Sequence, residues 1–75
     1  MSARFAELHG TVDSFDDHVG AGRVRADGGE LIFFHCTRIA DGSRTIPVGA
    51  TVTFAVAPIG LGSWEAVDVR PSSVG

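Results

Sequence analysis

The sequence predicts a small all-β domain, a five-stranded antiparallel β-barrel. Short stretches of alternating apolar and polar residues are separated by turn formers, ten residues are glycine, and few apolar patterns have the length of a helix. With 75 residues, only about 60 to 65% of the unfolded surface can be buried, and closing a sheet into a barrel removes its exposed edges. We expect one domain over residues 1–75, with a core over 6–70 and a frayed tail over 71–75.

The first strand is predicted from Ala6 to Phe15. Side chains alternate between the two faces of a strand. One face of this strand would carry Leu8, Gly10, Val12 and Ser14. The other would carry His9, Thr11, Asp13 and Phe15. The polar residues 16–18 then form a connection to the next strand.

A hairpin from Val19 to Thr37 supplies the second and third strands. Directly opposed residues of an antiparallel pair share a face, so a loop with an odd number of residues is needed to bring the apolar residues of both arms together. The three residues 27–29 satisfy this requirement, and Gly29 accepts a left-handed backbone without steric cost. The outer face would then pair Arg23 with Phe33 and Ala21 with His35.

The second half of the chain supplies a long loop and two more strands. Residues 36–47 carry turn formers around Ile39 and predict a loop with one helical turn. Residues 50–57 alternate and predict a strand whose inward side chains are Val52, Phe54 and Val56. Residues 58–63 predict a second loop, and residues 64–69 the last strand. In that strand one face would carry Glu65, Val67 and Val69, and the other Trp64, Ala66 and Asp68.

The composition limits the classes of function. The formal net charge is -3, and all six basic residues are arginines, which argues against a general polyanion binder but leaves recognition by clustered arginines open. A single cysteine, Cys36, excludes an internal disulfide and is typical of a reducing compartment. No apolar run has the length of a signal peptide core or a membrane span, so we expect a cytoplasmic protein that does not enter a membrane.

The residue types of catalytic and metal sites occur without the spacing that such sites need. His35 and Cys36 are adjacent, so in a strand they face opposite ways, whereas small zinc sites use two closely spaced ligand pairs. Ser14, Asp16 and His18 crowd into one strand end and cannot form a triad with an oxyanion hole. We expect no catalytic residue, no metal, no cofactor and no small-molecule substrate.

The outer face of the hairpin is the candidate binding surface. Phe33 and His35 beside Arg23 and Arg25 could stack a base and hold its phosphate. Alternatively, the arginines are solvated or paired with Glu30, and Phe33 lies under a loop. These residues alone leave both interpretations open.

The order of motifs resembles the cold-shock domain family, whose members are five-stranded barrels of the oligonucleotide-binding fold. Residues 10–15, Gly-Thr-Val-x-x-Phe, resemble the family's opening Gly-x-Val-x-Trp-Phe. Residues 19–24 occupy the place of the first ribonucleoprotein motif, and Ile32-Phe33-Phe34-His35 resembles the second, Val-Phe-Val-His. Residues 49–54 resemble Gly-Gln-x-Val-x-Phe, and the last strand resembles the closing Gly-Pro-x-Ala-x-x-Val with about one extra residue.

The resemblance implies binding of single-stranded DNA or RNA by stacking of bases on outward aromatic residues. The aromatic residues it retains are Phe15, Phe33 and His35. Ser14 stands where the family has Trp, Ala21 and Arg23 stand where it has two Phe residues, Val19 replaces Lys, and Leu31 replaces Asp. Each lost stacking platform removes about 1 to 3 kcal/mol per base, so binding is expected to be weak. Arginines that could hold phosphates are Arg23, Arg25 and Arg38.

Two hypotheses for function follow. The first is weak binding of single-stranded nucleic acid, in transcriptional or post-transcriptional regulation. The second is a barrel that has lost this function and serves as a protein-interaction or self-association module through Ile59, Leu61 and Trp64. In the second case Trp64 is exposed for a partner or a homodimer, and the alternative is that it caps one end of the barrel.

Overall fold

The structure, a computed structural model, describes residues 7–60 and 62–72, which form one antiparallel sheet. Its five strands are β1 (Leu8–Asp16), β2 (Ala21–Ala26), β3 (Leu31–His35), β4 (Thr51–Gly60) and β5 (Ser63–Pro71). Their spatial order is β3-β2-β1-β4-β5, and a 3₁₀ turn over Cys36–Arg38 follows β3. The predicted all-β class with five antiparallel strands is confirmed.

The two outer strands of the sheet, β3 and β5, come together and close it into a barrel. Behind the 3₁₀ turn, Ile39 forms a parallel bridge with Val69, and the backbone N–H of Ala40 donates to the carbonyl oxygen of Val69 at 2.8 Å. The long loop after β3 therefore completes the barrel wall.

The core lies inside this barrel and contains side chains from all five strands. Its largest fully buried members are Phe34, Phe54, Val12, Val24, Val52 and Val69. Val52 and Phe54 on β4 follow the two-residue period of a strand, in which every second side chain points into the barrel. Ile39 and Ile46 from the long loop complete the cluster.

The β2–β3 hairpin has the predicted loop and register. The backbone N–H of Ala26 donates to the carbonyl oxygen of Glu30, and that of Gly29 donates to the carbonyl oxygen of Ala26. Residues 27–29 therefore form a three-residue loop, in which Gly29 has a φ of 103°. Arg23 lies opposite Phe33, and Ala21 lies opposite His35, as the parity argument predicts.

The alternation predicted for β1 is wrong beyond Val12. The pairing of β1 with β2 shifts between Val12 and Ser14, so that Val12 lies opposite Val24 while Ser14 lies opposite Arg23. The extra residue, Asp13, forms a bulge and reverses the faces of all residues after it. Ser14 therefore faces outward and Phe15 faces the core side. β1 also extends to Asp16, which was predicted as part of the connection, and Ala6 lies outside the described residues.

The predicted loop over residues 58–63 is wrong, because both flanking strands continue into it. Pro58 lies opposite Trp64, and Gly60 lies opposite Ser63. A proline fits here because, within the described residues, β4 pairs with β1 only up to Phe54, so none of them needs the N–H donor that Pro58 lacks on that side.

The alternation predicted for β5 is also interrupted. Asp68 has a φ of 53°, and the register shifts opposite it between Thr53 and Ala55. As a result Ala66 and Val69, which differ in parity, are both buried. Of the residues predicted to form the tail, Pro71 ends β5 and the N–H of Ser72 donates to the carbonyl oxygen of Thr51. Residues 73–75 lie outside the described residues.

Candidate nucleic-acid interface

The strands β1, β2 and β3 present three rows of directly opposed residues on the outside of the barrel. We call this surface the outer face. Its rows are Asp16, Ala21 and His35; Ser14, Arg23 and Phe33; and Thr11, Arg25 and Leu31. Neighbouring strands lie about 4.8 Å apart, so the side chains of one row are within reach of one another. The rows place three of the predicted site residues, Arg23, Phe33 and His35, side by side.

Arg23 occupies the centre of the outer face. Its side chain is exposed, and it has no salt-bridge partner among the residues that the structure describes. Phe33, directly opposite on β3, keeps 41% of its surface exposed although it is a large apolar side chain. A free guanidinium beside an exposed ring combines a cation with a stacking surface.

Phe15, predicted as an outward stacking residue, lies between the outer face and the core. Its ring stacks on the buried Phe34 with centroids 5.8 Å apart and an interplanar angle of 26°. Gly22 allows this position, because a Cβ there would lie 3.0 Å from Cδ1 of Phe15 and 2.1 Å from the carbonyl oxygen of Ser14. Phe15 still contributes to the wall of a shallow depression of about 280 Å³ that Arg23 and Phe33 also line.

His35 ends β3 and is held by the turn that follows it. Its Nδ1 accepts a hydrogen bond from the backbone N–H of Thr37 at 3.3 Å and lies 3.1 Å from the Thr37 hydroxyl. The imidazole, which is half-buried, therefore has a fixed orientation at the end of the row that contains Ala21.

The other two arginines predicted as phosphate ligands have partners within the protein. Arg25 is 3.3 Å from Asp13 and also donates to the carbonyl oxygen of Gly29. Arg38 donates from Nε to Oε2 of Glu65 at 2.8 Å, and the side chain of Glu65 is only 8% exposed. Arg25 could exchange its exposed partner for a phosphate at little cost, whereas withdrawal of Arg38 would leave a buried carboxylate unpaired.

Arg44 is an exposed arginine that the sequence analysis missed as a candidate. It has no salt-bridge partner among the described residues, and it lines a depression of about 380 Å³ with His18 and Thr37. Its loop is fixed on both sides. The N–H of Ser43 donates to Asp41 at 2.9 Å, which lowers the pKa of the Asp41 carboxyl, and the Thr45 hydroxyl donates to Asp17 at 2.8 Å.

The sequence model of the 'cold-shock' DNA-binding domain matches residues 8–72, which is nearly the whole chain. The chain belongs to the cold-shock domain family. This family has a nucleic-acid-binding, non-enzymatic fold, which supports a nucleic-acid-binding role for the protein.

The three-dimensional structure agrees with this membership. It is similar to the solved structure of Drosophila Unr CSD456, with a TM-score of 0.76 and 27% sequence identity. The match covers 93% of this chain but only 28% of the Unr chain. No curated protein matches the chain in sequence. Within the described residues, no helix has the length and apolar character needed to cross a membrane.

Because the chain is a cold-shock domain, the residues of its outer face can be compared with the aromatic pattern that the resemblance implies. The positions where the resemblance expects aromatic residues, 14, 21 and 23, are adjacent on β1 and β2. They carry a serine, an alanine and an arginine, while β3 keeps Phe33 and His35. Ser14 and Arg23 are directly opposed on the surface, Ala21 near them is buried, and of the three strands of the outer face only β3 keeps outward aromatic side chains.

Proposed function

We propose that the protein binds single-stranded DNA or RNA weakly on the outer face, in transcriptional or post-transcriptional regulation in the cytoplasm. The observation that carries this proposal is the central position of Arg23, exposed beside Phe33 and without a salt-bridge partner among the described residues. A guanidinium in this setting can stack on a base or bind a phosphate, and both interactions are available to a strand that crosses β3.

Stacking on β3 supplies the short-range part of the interaction. Phe33 and His35 are two residues apart on the same face, so they lie about 7 Å apart along the strand. Each base stacked on an aromatic side chain contributes about 1 to 3 kcal/mol. Since Ser14, Ala21 and Arg23 offer no aromatic ring, we infer a site of about two or three nucleotides rather than a long platform.

Phosphate binding supplies the electrostatic part. Among the described residues, Arg23 and Arg44 are the arginines without a salt-bridge partner, so neither must break an ion pair to bind a phosphate. Arg25 contributes when a phosphate displaces Asp13, and we assign Arg38 mainly to its pair with Glu65. The role of Phe15 is to support the edge of the depression beside Phe33.

The proposal is tested by titration of hexathymidylate and hexauridylate at several salt concentrations, followed by backbone amide chemical shifts. Shifts are expected on residues 21–25, 31–38 and 43–45 when the oligonucleotide reaches millimolar concentration. For single strands, log K falls against log salt with a slope of about -0.7 per neutralised phosphate, so two arginines predict about -1.4 and all four predict about -2.8. No shift at millimolar oligonucleotide would refute the proposal.

A matched pair of double variants separates the outer face from general charge effects. Arg23→Ala with Phe33→Ala is expected to abolish the shifts. Arg70→Ala with Ile59→Ala removes the same charge and a similar exposed apolar side chain from β5 and β4, and is expected to leave binding unchanged. Equal loss of binding in both variants would contradict the assignment to the outer face.

A further inference from the structure

A concavity larger than the two depressions described above is lined by residues of the β2–β3 hairpin, of β1 and of the β4–β5 hairpin. This cleft has a volume of about 790 Å³, within the range of sites that hold ligands or side chains of a partner. Of the residues predicted for a protein-interaction surface, Trp64 lines the cleft, Ile59 is exposed outside it, and Leu61 lies outside the described residues.

The walls and floor of the cleft are apolar. Trp64, Leu31 and Phe33 stand around it with 57%, 47% and 41% of their surfaces exposed. Partly buried side chains that pack on the barrel core form the floor, namely Leu8, Ala26, Ile32 and Val56. Exposed apolar side chains that surround one concavity are typical of an interaction site, whereas single exposed ones are not.

The rim of the cleft is acidic. Glu7, Asp27 and Glu30 line it and are exposed, and none forms a salt bridge with another described residue. Arg23 is the only arginine or lysine on the lining within the described residues, and the cleft shares it with the outer face. The rim therefore attracts cations and repels phosphates.

We propose that this cleft binds a basic, apolar segment of a protein partner. An aliphatic or aromatic side chain of the segment enters between Trp64 and Leu31, and flanking lysines or arginines lie against the carboxylates of Asp27 and Glu30. The apolar contacts provide the affinity and the carboxylates select the charge of the partner. Since Phe33 and Arg23 belong to both surfaces, the segment competes in part with nucleic acid for them.

The acidic rim of the cleft disfavours the two other possible occupants, a nucleic-acid strand and a second copy of this chain. A nucleic-acid strand would bring phosphates against three carboxylates. A second copy of this chain has a net charge of -3, and a symmetric contact would bring two acidic rims together. A basic segment is the occupant that both the walls and the rim favour.

The test uses the full chain and a synthetic peptide, Lys-Leu-Lys-Phe-Lys-Leu-amide. Trp64, the single tryptophan, is the reporter, and its emission is expected to move to shorter wavelength as the peptide covers it. Amide shifts are expected on Ile32, Val56 and Trp64. Two control peptides are expected not to bind. One has Ser in place of Leu and Phe, and the other has Glu in place of Lys.

Matched variants locate the site. Leu31→Ser is expected to weaken peptide binding at least about tenfold, and Ile59→Ser, equally exposed but outside the cleft, less than about twofold. Asp27→Asn with Glu30→Gln is expected to weaken it about tenfold, and Asp68→Asn on β5 to have no effect.

Three results would overturn the proposal. The first is equal binding of the serine peptide, which would mean attraction by charge alone. The second is hexathymidylate giving the Trp64 shift at lower concentration than the peptide, which would assign the cleft to nucleic acid. The third is a dimer in sedimentation that Leu31→Ser dissociates, which would assign the cleft to a second copy.

Discussion

The β2–β3 and β4–β5 hairpins of the barrel differ in the regularity of their strand pairing. In the β2–β3 hairpin every opposed pair keeps one register, and a three-residue loop joins the strands. The β4–β5 hairpin is longer, and its register shifts twice, between Thr53 and Ala55 and between Pro58 and Gly60. The regular hairpin aligns side chains in rows that can bind an extended strand. In the irregular β4–β5 hairpin, Trp64 lies near the tip, where it is exposed and lines the cleft.

The largest difference between the hairpins is expected at their glycines. In Gly22→Ala the new Cβ would meet the backbone of β1, so the strands must separate, and we expect a loss of about 3 kcal/mol in the free energy of unfolding. Gly60 has open space around it, and Gly60→Ala is expected to change stability by less than about 0.5 kcal/mol. Urea denaturation measures both, and equal losses would contradict the close approach at Gly22.

A smaller difference is expected at the two arginine pairs. Arg38→Ala leaves the buried Glu65 carboxylate without its partner and is expected to cost about 2 kcal/mol, while Arg25→Ala removes an exposed pair and costs less than about 0.5 kcal/mol. Thermal unfolding of the single variants and of Arg38→Ala with Glu65→Gln checks this. If the neutral glutamine restores none of the loss, the cost does not come from the buried charge.

The smallest expected effect is on the affinity for nucleic acid, and it tests whether the residue rows of the outer face form the binding surface. Ser14→Trp places an indole in the row of Arg23 and Phe33 and is expected to tighten hexathymidylate binding about tenfold, or about 1.4 kcal/mol. Thr53→Trp, on the partly exposed surface of β4, is the control. An equal gain from both variants would mean that any added indole suffices.

The sequence predicts the fold correctly where the alternation of side chains along a strand continues without a bulge. The odd loop and the left-handed Gly29 follow from parity and steric freedom, and they placed Arg23 opposite Phe33 correctly. The bulges at Asp13 and Asp68 could not be predicted in this way, because neither is marked by a glycine and each reverses the alternation that the argument relies on.

The candidate site likewise contains features that follow from local sequence and features that depend on long-range contacts. The sequence left open whether Phe33 lies under a loop and whether Arg23 pairs with Glu30; in the structure Phe33 is exposed and Arg23 has no salt-bridge partner among the described residues. The partners of the other arginines depend on long-range geometry, since Glu65 lies 27 positions from Arg38 and a bulge brings Asp13 to Arg25. A signal for Arg44 was present, because the turn residues 41–43 directly precede it and fix it beside His18.

The seam between β3 and β5 has a consequence for how the protein behaves at high concentration. An open five-stranded sheet would offer two unpaired strand edges, each a template on which another chain could add. The bridge between Ile39 and Val69 and the hydrogen bond from Ala40 cover part of the β5 edge. The long loop that carries Arg44 thus also protects the barrel from edge-to-edge aggregation. We therefore expect that shortening this loop lowers the solubility of the protein more than its affinity for nucleic acid.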